Sequence, residues 1–294
     1  MLFLLLSLSS PAAFGQTALS PAAAQSSCNR AAFRTVIDVG HTLEEPGAVS
    51  ARGVPEYQFN LNLAKAIEQK LTADGFDKTV LLITSGRTLQ GLLARVRNAN
   101  TMPADLYLSI HHDSVPEQFK ETWGFDGKPN LYSDRFTGHS MFVSFDNAER
   151  KASLLFGNLL GKQLKARDLQ FTRHYTEAIM GSRRRDLVDA DAGVYRYDKL
   201  IVLRHTRMPA VLLEAGMMIN REEELKLASP ERQTLIAAAV ADAVEKFCDL
   251  RTAEKAKLLA EAKRAKKKAA KEPPTPTSRW FNPFVRPQQK SQPN

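Results

Sequence analysis

Several polar side chains stand where apolar runs give way to loops. Asp38-Val-Gly-His41 closes the run that begins at Arg34, His111-His112-Asp113 follows the run 105–110, and Glu214 ends the run 210–213. Glu56 opens the amphipathic stretch after the loop that starts at His41. Two imidazoles and one carboxylate are a common zinc set that leaves a coordination position for water, and a further carboxylate nearby can act as general base. Glu214 is the most telling single residue. Flanked by Val211-Leu-Leu213 and Ala215-Gly216, an acid there sits uncompensated in apolar surroundings unless it has a task, or unless Arg204 or Arg207 pairs with it. Alone, His41 reads as a turn or capping residue and Glu56 as an acid favoured by a helix N-terminus. Adjacent strand side chains point to opposite faces, so only one of His111 and His112 is expected to reach a given metal. His139, His174 and His205 have no comparable placement and read as structural.

Short β-branched runs alternate with longer amphipathic ones between Arg34 and Phe247, as in a βαβ protein. The fold class is α/β: a mostly parallel twisted sheet flanked by helices, in a single catalytic domain. Strands are expected at 34–39, 79–84, 105–110, 140–145, 200–203 and 210–213, and helices at 60–71, 88–99, after 145, and from Pro230 to Phe247. In open sheets of this class the carboxyl ends of strands form the ligand crevice, so the polar groups above can converge there. Two segments break the rhythm. Residues 115–136 carry Trp123, two Gly-containing turns and a Pro, and read as a surface excursion. Residues 172–197 read as a long irregular segment with Arg183-Arg184-Arg185, either a functional loop or a solvated one with local ion pairs.

With 294 residues and 43% hydrophobic content, the chain can build a real core, and wholesale disorder is excluded. Its net charge of +9 is not a nucleic-acid signature. Residues 251–294 hold twelve Lys and Arg against three Asp and Glu, which leaves 29 of each sign in residues 1–250. Residues 1–24, a short apolar run followed by small residues, read as an export signal, although no Lys or Arg precedes the apolar run. The catalytic domain is expected at 29–250. Residues 251–294 form a basic Ala/Lys-rich, then Pro-rich tail, helix-friendly in composition over 254–271 but with little apolar stripe, expected to be disordered and suited either to solvation or to an anionic envelope surface. Cys28 and Cys248 fall at the two edges of the neutral region, where an exported protein often has a disulfide; bridged and unbridged states both stay open.

Taken together, Val36-Ile-Asp-Val-Gly-His41, the stretch 56–63, Arg95-Val-Arg-Asn-Ala-Asn100, Asp105-Leu-Tyr-Leu-Ser-Ile-His111 and the segment from Val202 to Gly216 resemble the zinc-dependent N-acetylmuramoyl-L-alanine amidases, specifically the catalytic domain of the division amidases. The resemblance covers roughly Arg34 to Phe247. It implies that His41, Glu56 and His111 hold Zn2+, that Glu214 is the catalytic acid/base, and that the substrate is peptidoglycan in the periplasm, with an activator protein as a further partner. Thr42 stands where the family usually has Gly, and His112-Asp113 where it usually has Ala-Asn; neither departure removes a ligand. His112 is left as a donor to the substrate carbonyl or a group supporting the ligands. Residues 115–136 are too short and turn-rich for the self-inhibitory helix that family members often carry. Two rivals remain: a zinc carboxypeptidase or acyl-amino-acid amidohydrolase, which needs a clamp for a free carboxylate such as Arg183–Arg185 or Arg204, and a non-catalytic wall-binding module with a structural zinc.

Overall fold

In the computed structural model, which describes residues 27–269, β1 (Thr35–Val39) is buried at every position. That follows from its place inside the sheet, paired in parallel with β2 (Val80–Leu82) on one side and β3 (Leu106–Asp113) on the other. Helix α1 (Glu56–Ala73) links β1 to β2, and α2 (Thr88–Thr101) links β2 to β3. The chain therefore leaves β1 in one direction and comes back past it in the other. With right-handed crossovers, α1 and α2 lie on opposite faces and a crevice opens at the carboxyl ends of β1 and β3.

Beyond β3 the chain forms β4 (Glu121–Phe125), β5 (Lys128–Tyr132), β6 (Ser140–Val143), α3 (Arg150–Lys165), β7 (Asp186–Asp189), β8 (Val194–Arg196), α4 (Ile201–His205), β9 (Ala210–Met217), α5 (Arg221–Ala228) and α6 (Pro230–Ala269). The main sheet has seven strands in the order β2-β1-β3-β9-β6-β8-β7, with antiparallel pairing only at β6–β9 and β7–β8. It is the mostly parallel, helix-flanked sheet expected from the sequence. One face carries α1, α3 and α6 over Ile37, Leu108, Val211 and Leu213; the other carries α2 and α4 over Val36, Tyr107 and Leu212.

Some segments differ from expectation. Residues 201–205 form a helical turn, not a strand: the apolar run is too short for periodicity to decide, and Val202 and Leu203 bury from a helix as well as they would from a strand. The excursion 115–136 contains the antiparallel hairpin β4–β5, closed by Asp126-Gly127 at φ 52° and 69°, the doubly left-handed two-residue turn that matches strand twist. Residues 172–197 hold short 3-10 turns and the edge pair β7–β8. The boundary expected at 250 falls inside α6, which runs on through Ala269 with its side chains from 252 to 267 exposed. Cys28 and Cys248 are bridged. The expected export signal and the Pro-rich end of the tail lie outside the described residues.

Candidate active site

The crevice at the carboxyl ends of β1 and β3 is a cleft of about 550 Å3, and His41, Glu56, His111 and Glu214 all line it. His41 follows β1 with φ 66°, a left-handed conformation uncommon for a residue with a Cβ. It is held from behind. Arg95, on α2, donates from Nη2 to the His41 carbonyl at 2.5 Å, and its Nε lies 3.0 Å from Asp38 of β1, both side chains being buried. Burial pushes the Asp38 pKa up, and the Arg95 charge and the Ser109 hydroxyl, 2.6 Å away, pull it back. A buried ion pair is favourable only when further hydrogen bonds support it; here the His41 carbonyl accepts from Arg95 and the Ser109 hydroxyl donates to Asp38, while Arg95 Nε and Asp38 Oδ1 face each other with no further partner among the described residues.

Glu56 is the first residue of α1, where its charge meets the positive end of the helix. Oε2 lies 3.0 Å from His41 Nε2, and Oε1 lies 3.0 Å from His111 Nδ1. Asn60, one helical turn later, donates from Nδ2 to Glu56 Oε1 at 3.1 Å and to the Gly40 carbonyl at 3.2 Å. The backbone N–H groups of His112 and Ala48 each add a 3.3 Å bond to the carboxylate. Burial favours the neutral acid, yet the hydrogen bonds with His111 and His41 hold the Glu56 pKa below the ordinary carboxylate value. Burial also lowers the pKa of His111, so it presents a neutral imidazole with a lone pair.

The neighbouring imidazole goes elsewhere. His112 turns under α1, its ring 5.4 Å from the Phe59 ring and its Nδ1 2.8 Å from Asn60 Oδ1. Burial pushes its pKa down to about 3, so it stays neutral and steadies Asn60, which in turn steadies Glu56.

Glu214 stands beside His111 in the β3–β9 register. Its Oε2 is enclosed and has no hydrogen-bond partner among the described residues. Burial first, then the nearby charges of Asp113 and Glu56, raise its pKa well above the usual carboxylate range. The pairings that would have made it an ordinary ion pair are absent among the described residues: Arg204 lies 3.4 Å from Asp146, and the Arg207 backbone bonds Asn100. Asp113 accepts the Tyr175 hydroxyl at 2.8 and 3.0 Å, and burial lifts its pKa to about 7.

The ligand atoms of His41, Glu56 and His111 all lie within 4.8 Å of one another, the one such group among the described residues. The 3.0 Å separations between the Glu56 oxygens and the two imidazole nitrogens suit ligands held at ~2.0–2.1 Å from one ion, and the N2O donor set suits zinc. Two glycines keep the space open. A Cβ at Gly40 would lie 2.5 Å from His111 Nε2, and one at Gly47, where φ is 82°, 2.5 Å from Glu56 Oε2. The four residues singled out by sequence are thus brought together, while His139 and His205 stay outside the cleft lining and His174 packs behind it, 3.8 Å from Asp113. Asn60, Gly47, Tyr175 and the Arg95–Asp38 pair escaped sequence reasoning. Only Asn60 carried a local signal, its place four residues after Glu56 on one helix face.

The family pattern for N-acetylmuramoyl-L-alanine amidases matches residues 35–246. A putative N-acetylmuramoyl-L-alanine amidase of Buchnera aphidicola is 24% identical over 212 residues, covering 72% of this chain and 94% of its own. Among solved structures, the catalytic domain of CwlV, an N-acetylmuramoyl-L-alanine amidase from Bacillus (Paenibacillus) polymyxa, is 28% identical with a TM-score of 0.53, over 74% of this chain and 98% of that one. Ami1 of Mycobacterium smegmatis, 20% identical with a TM-score of 0.56 over 75% and 98%, shares the fold.

Proposed function

The chain belongs to the N-acetylmuramoyl-L-alanine amidase family, and we propose that it cleaves peptidoglycan with His41, Glu56 and His111 as zinc ligands and Glu214 as the proton-transfer group. The reaction is hydrolysis of the amide joining the lactyl group of N-acetylmuramic acid to L-alanine, which releases the stem peptide from the glycan. One observation carries the assignment of residues: a single buried carboxylate, Glu56, lies 3.0 Å from each of two imidazoles in the cleft that Glu214 also lines.

Zinc in such a site supplies Lewis acidity, polarising the scissile carbonyl and bringing the pKa of a water down to ~7. The side chains do the rest. Glu214 takes the proton of the attacking water and delivers it to the leaving nitrogen. Its enclosed Oε2 gives up no internal hydrogen bond to do so, and its raised proton affinity suits a group that must hold the proton between the two steps. Asn60 and the His112 N–H keep Glu56 oriented, and Arg95 keeps the His41 backbone in its unusual conformation. No nucleophilic side chain is needed, and both cysteines are committed to their bridge.

The site of action is the periplasm. A disulfide forms and persists in an oxidising compartment, which supports export. The helical extension beyond residue 250 exposes a basic surface suited to the anionic envelope. The test is incubation of the purified protein with intact sacculi, with and without an envelope extract to supply an activator, followed by mass spectrometry of the products. Free stem peptides that vanish on chelation and return with zinc are the expected result. Glu214→Gln should keep its zinc and lose about 10²–10⁴-fold in turnover. Near-full turnover in that variant would remove Glu214 from the mechanism, and intact muropeptides in every arm would remove the substrate.

A further inference from the structure

The run Arg183-Arg184-Arg185 separates into three different environments. Arg185 stacks its guanidinium 3.7 Å from the Tyr197 ring centroid and donates to the carbonyls of Ser182 and Arg184. Arg184 is exposed. Between this pair and the preceding helical turn, Gly181 adopts φ 53° and ψ −123°, a kink that breaks the turn just before Arg183. Arg183 alone of the three lines the metal cleft, half-buried, and it makes no hydrogen bond or ion pair with any described residue.

A half-buried guanidinium with all five donors uncommitted, in a cleft built for hydrolysis, is matched to a planar anion. The neighbours of Arg183 say on which side of the bond that anion lies. Arg183 lines the same end of the chemistry as Glu214, whose carboxylate shares its cleft and feels its charge, and Glu214 is the group that serves the leaving nitrogen. Resting on the amidase reading above, we propose that Arg183 determines specificity by binding a free carboxylate of the stem peptide close to the scissile amide. The chemistry of the substrate leaves no nearer candidate. The lactyl carboxyl is consumed in the amide itself and the amino sugars beside it are acetylated, so the anionic groups near the bond belong to the peptide. Arg183 is thus a peptide-side reader, and a stem whose carboxylates are amidated is a poorer substrate.

The experiment compares two synthetic muramyl peptides, identical except that the carboxylate of the second peptide residue is free in one and amidated in the other. The zinc-loaded full chain is assayed for kcat and KM on both, and the zinc-loaded Glu214→Gln protein for Kd of both by titration calorimetry. The wild type should prefer the free acid by about 10- to 100-fold, the range of a charge-assisted pair, chiefly in KM and Kd. Arg183→Gln and Arg183→Ala should bring that ratio close to one, Arg183→Lys should restore part of it, and Arg184→Ala should leave it as in the wild type. A wild-type ratio near one overturns the proposal. So does an equal loss on both peptides in Arg183→Gln with KM unchanged, which would make Arg183 a regulator of Glu214. If the wild type binds neither peptide and cleaves neither, the amidase reading fails and takes this inference with it.

Discussion

Gly40→Ala tests the proposed zinc site through its geometry, without changing any of the three residues assigned as ligands. Gly40 lies outside the left-handed region, so alanine adds no backbone strain. Its methyl group would lie 2.5 Å from His111 Nε2 and 2.6 Å from Cδ2 and Cε1, where ordinary contact begins at 3.4 Å. The ring must therefore retreat by about 0.9 Å, the difference of those two distances. Metal–ligand bonds tolerate only ~0.2 Å, and a misplacement of ~1 Å in a site costs on the order of 10²-fold. We expect zinc affinity, measured by competition with a chromophoric chelator, to fall by about 100-fold, with kcat/KM falling at least as far at limiting zinc. The fold should lose ~1–3 kcal/mol from overpacking, read as a shift in the denaturant midpoint. Gly124→Ala is the control, because a methyl group there meets nothing within 4 Å. A zinc Kd within about threefold of wild type in Gly40→Ala would refute the argument, since it would mean that His111 either does not ligate or is not confined as described.

Other outcomes follow from the same contacts. Asp38→Asn leaves the Arg95 charge buried without its partner, so stability should drop by ~3–5 kcal/mol and zinc affinity should fall as His41 loosens; a loss under ~1 kcal/mol would sink the pairing. Burial pushes the His139 pKa down to about 4 from an unfolded value of 6.5. A depressed folded pKa means that its contribution is complete above pH 6.5 and is lost as pH falls toward 4, at up to ~1.4 kcal/mol per pH unit. Denaturation of His139→Gln across that window should show a shallower pH slope than the wild type, and equal slopes would count against a buried neutral imidazole. The Cys28–Cys248 bridge closes a loop with a separation of 220 residues, so Cys28→Ser with Cys248→Ser should cost ~2–5 kcal/mol, and reductant should bring wild type to the same midpoint. A midpoint indifferent to reductant would contradict the bridge.

The residues that meet in the cleft were more legible in the sequence than the scaffolding that holds them. His41, His111 and Glu214 could be picked out because each ends an apolar run, and a polar residue at the carboxyl end of a buried strand is conspicuous in one dimension. The division of labour between His111 and His112 followed from strand alternation alone and is what the packing of His112 on Phe59 displays. Arg95 was visible as part of a family motif, but its engagement with Asp38 and the His41 carbonyl depends on a contact between α2 and β1, 57 residues apart in the chain. No local pattern encodes that. Residues 201–205 show the opposite limit: Ile-Val-Leu-Arg-His has a β-rich composition, and only the buried faces of its neighbours make it a helical turn. The continuation of α6 was half legible: residues 254–271 keep a helix-friendly composition, but the apolar stripe ends after Phe247, so nothing in the pattern joined them to the helix before, and propensity extends it.

The bridged cysteines also fix where the catalytic body can be held. Phe33, two residues before β1, meets Phe247 with ring centroids 6.3 Å apart, and Cys28 and Cys248 lie alongside. The bridge therefore sits at the amino edge of the sheet, while the cleft opens at its carboxyl edge, about 16 Å of strand away along β1. A tether whose hold on the body is the bridged pair, whether a surface, a spacer or a second module, grips it at the edge opposite the mouth of the cleft. Reach into a mesh of glycan strands is then a matter of tether length, with no turn of the enzyme required to bring its working face to the wall.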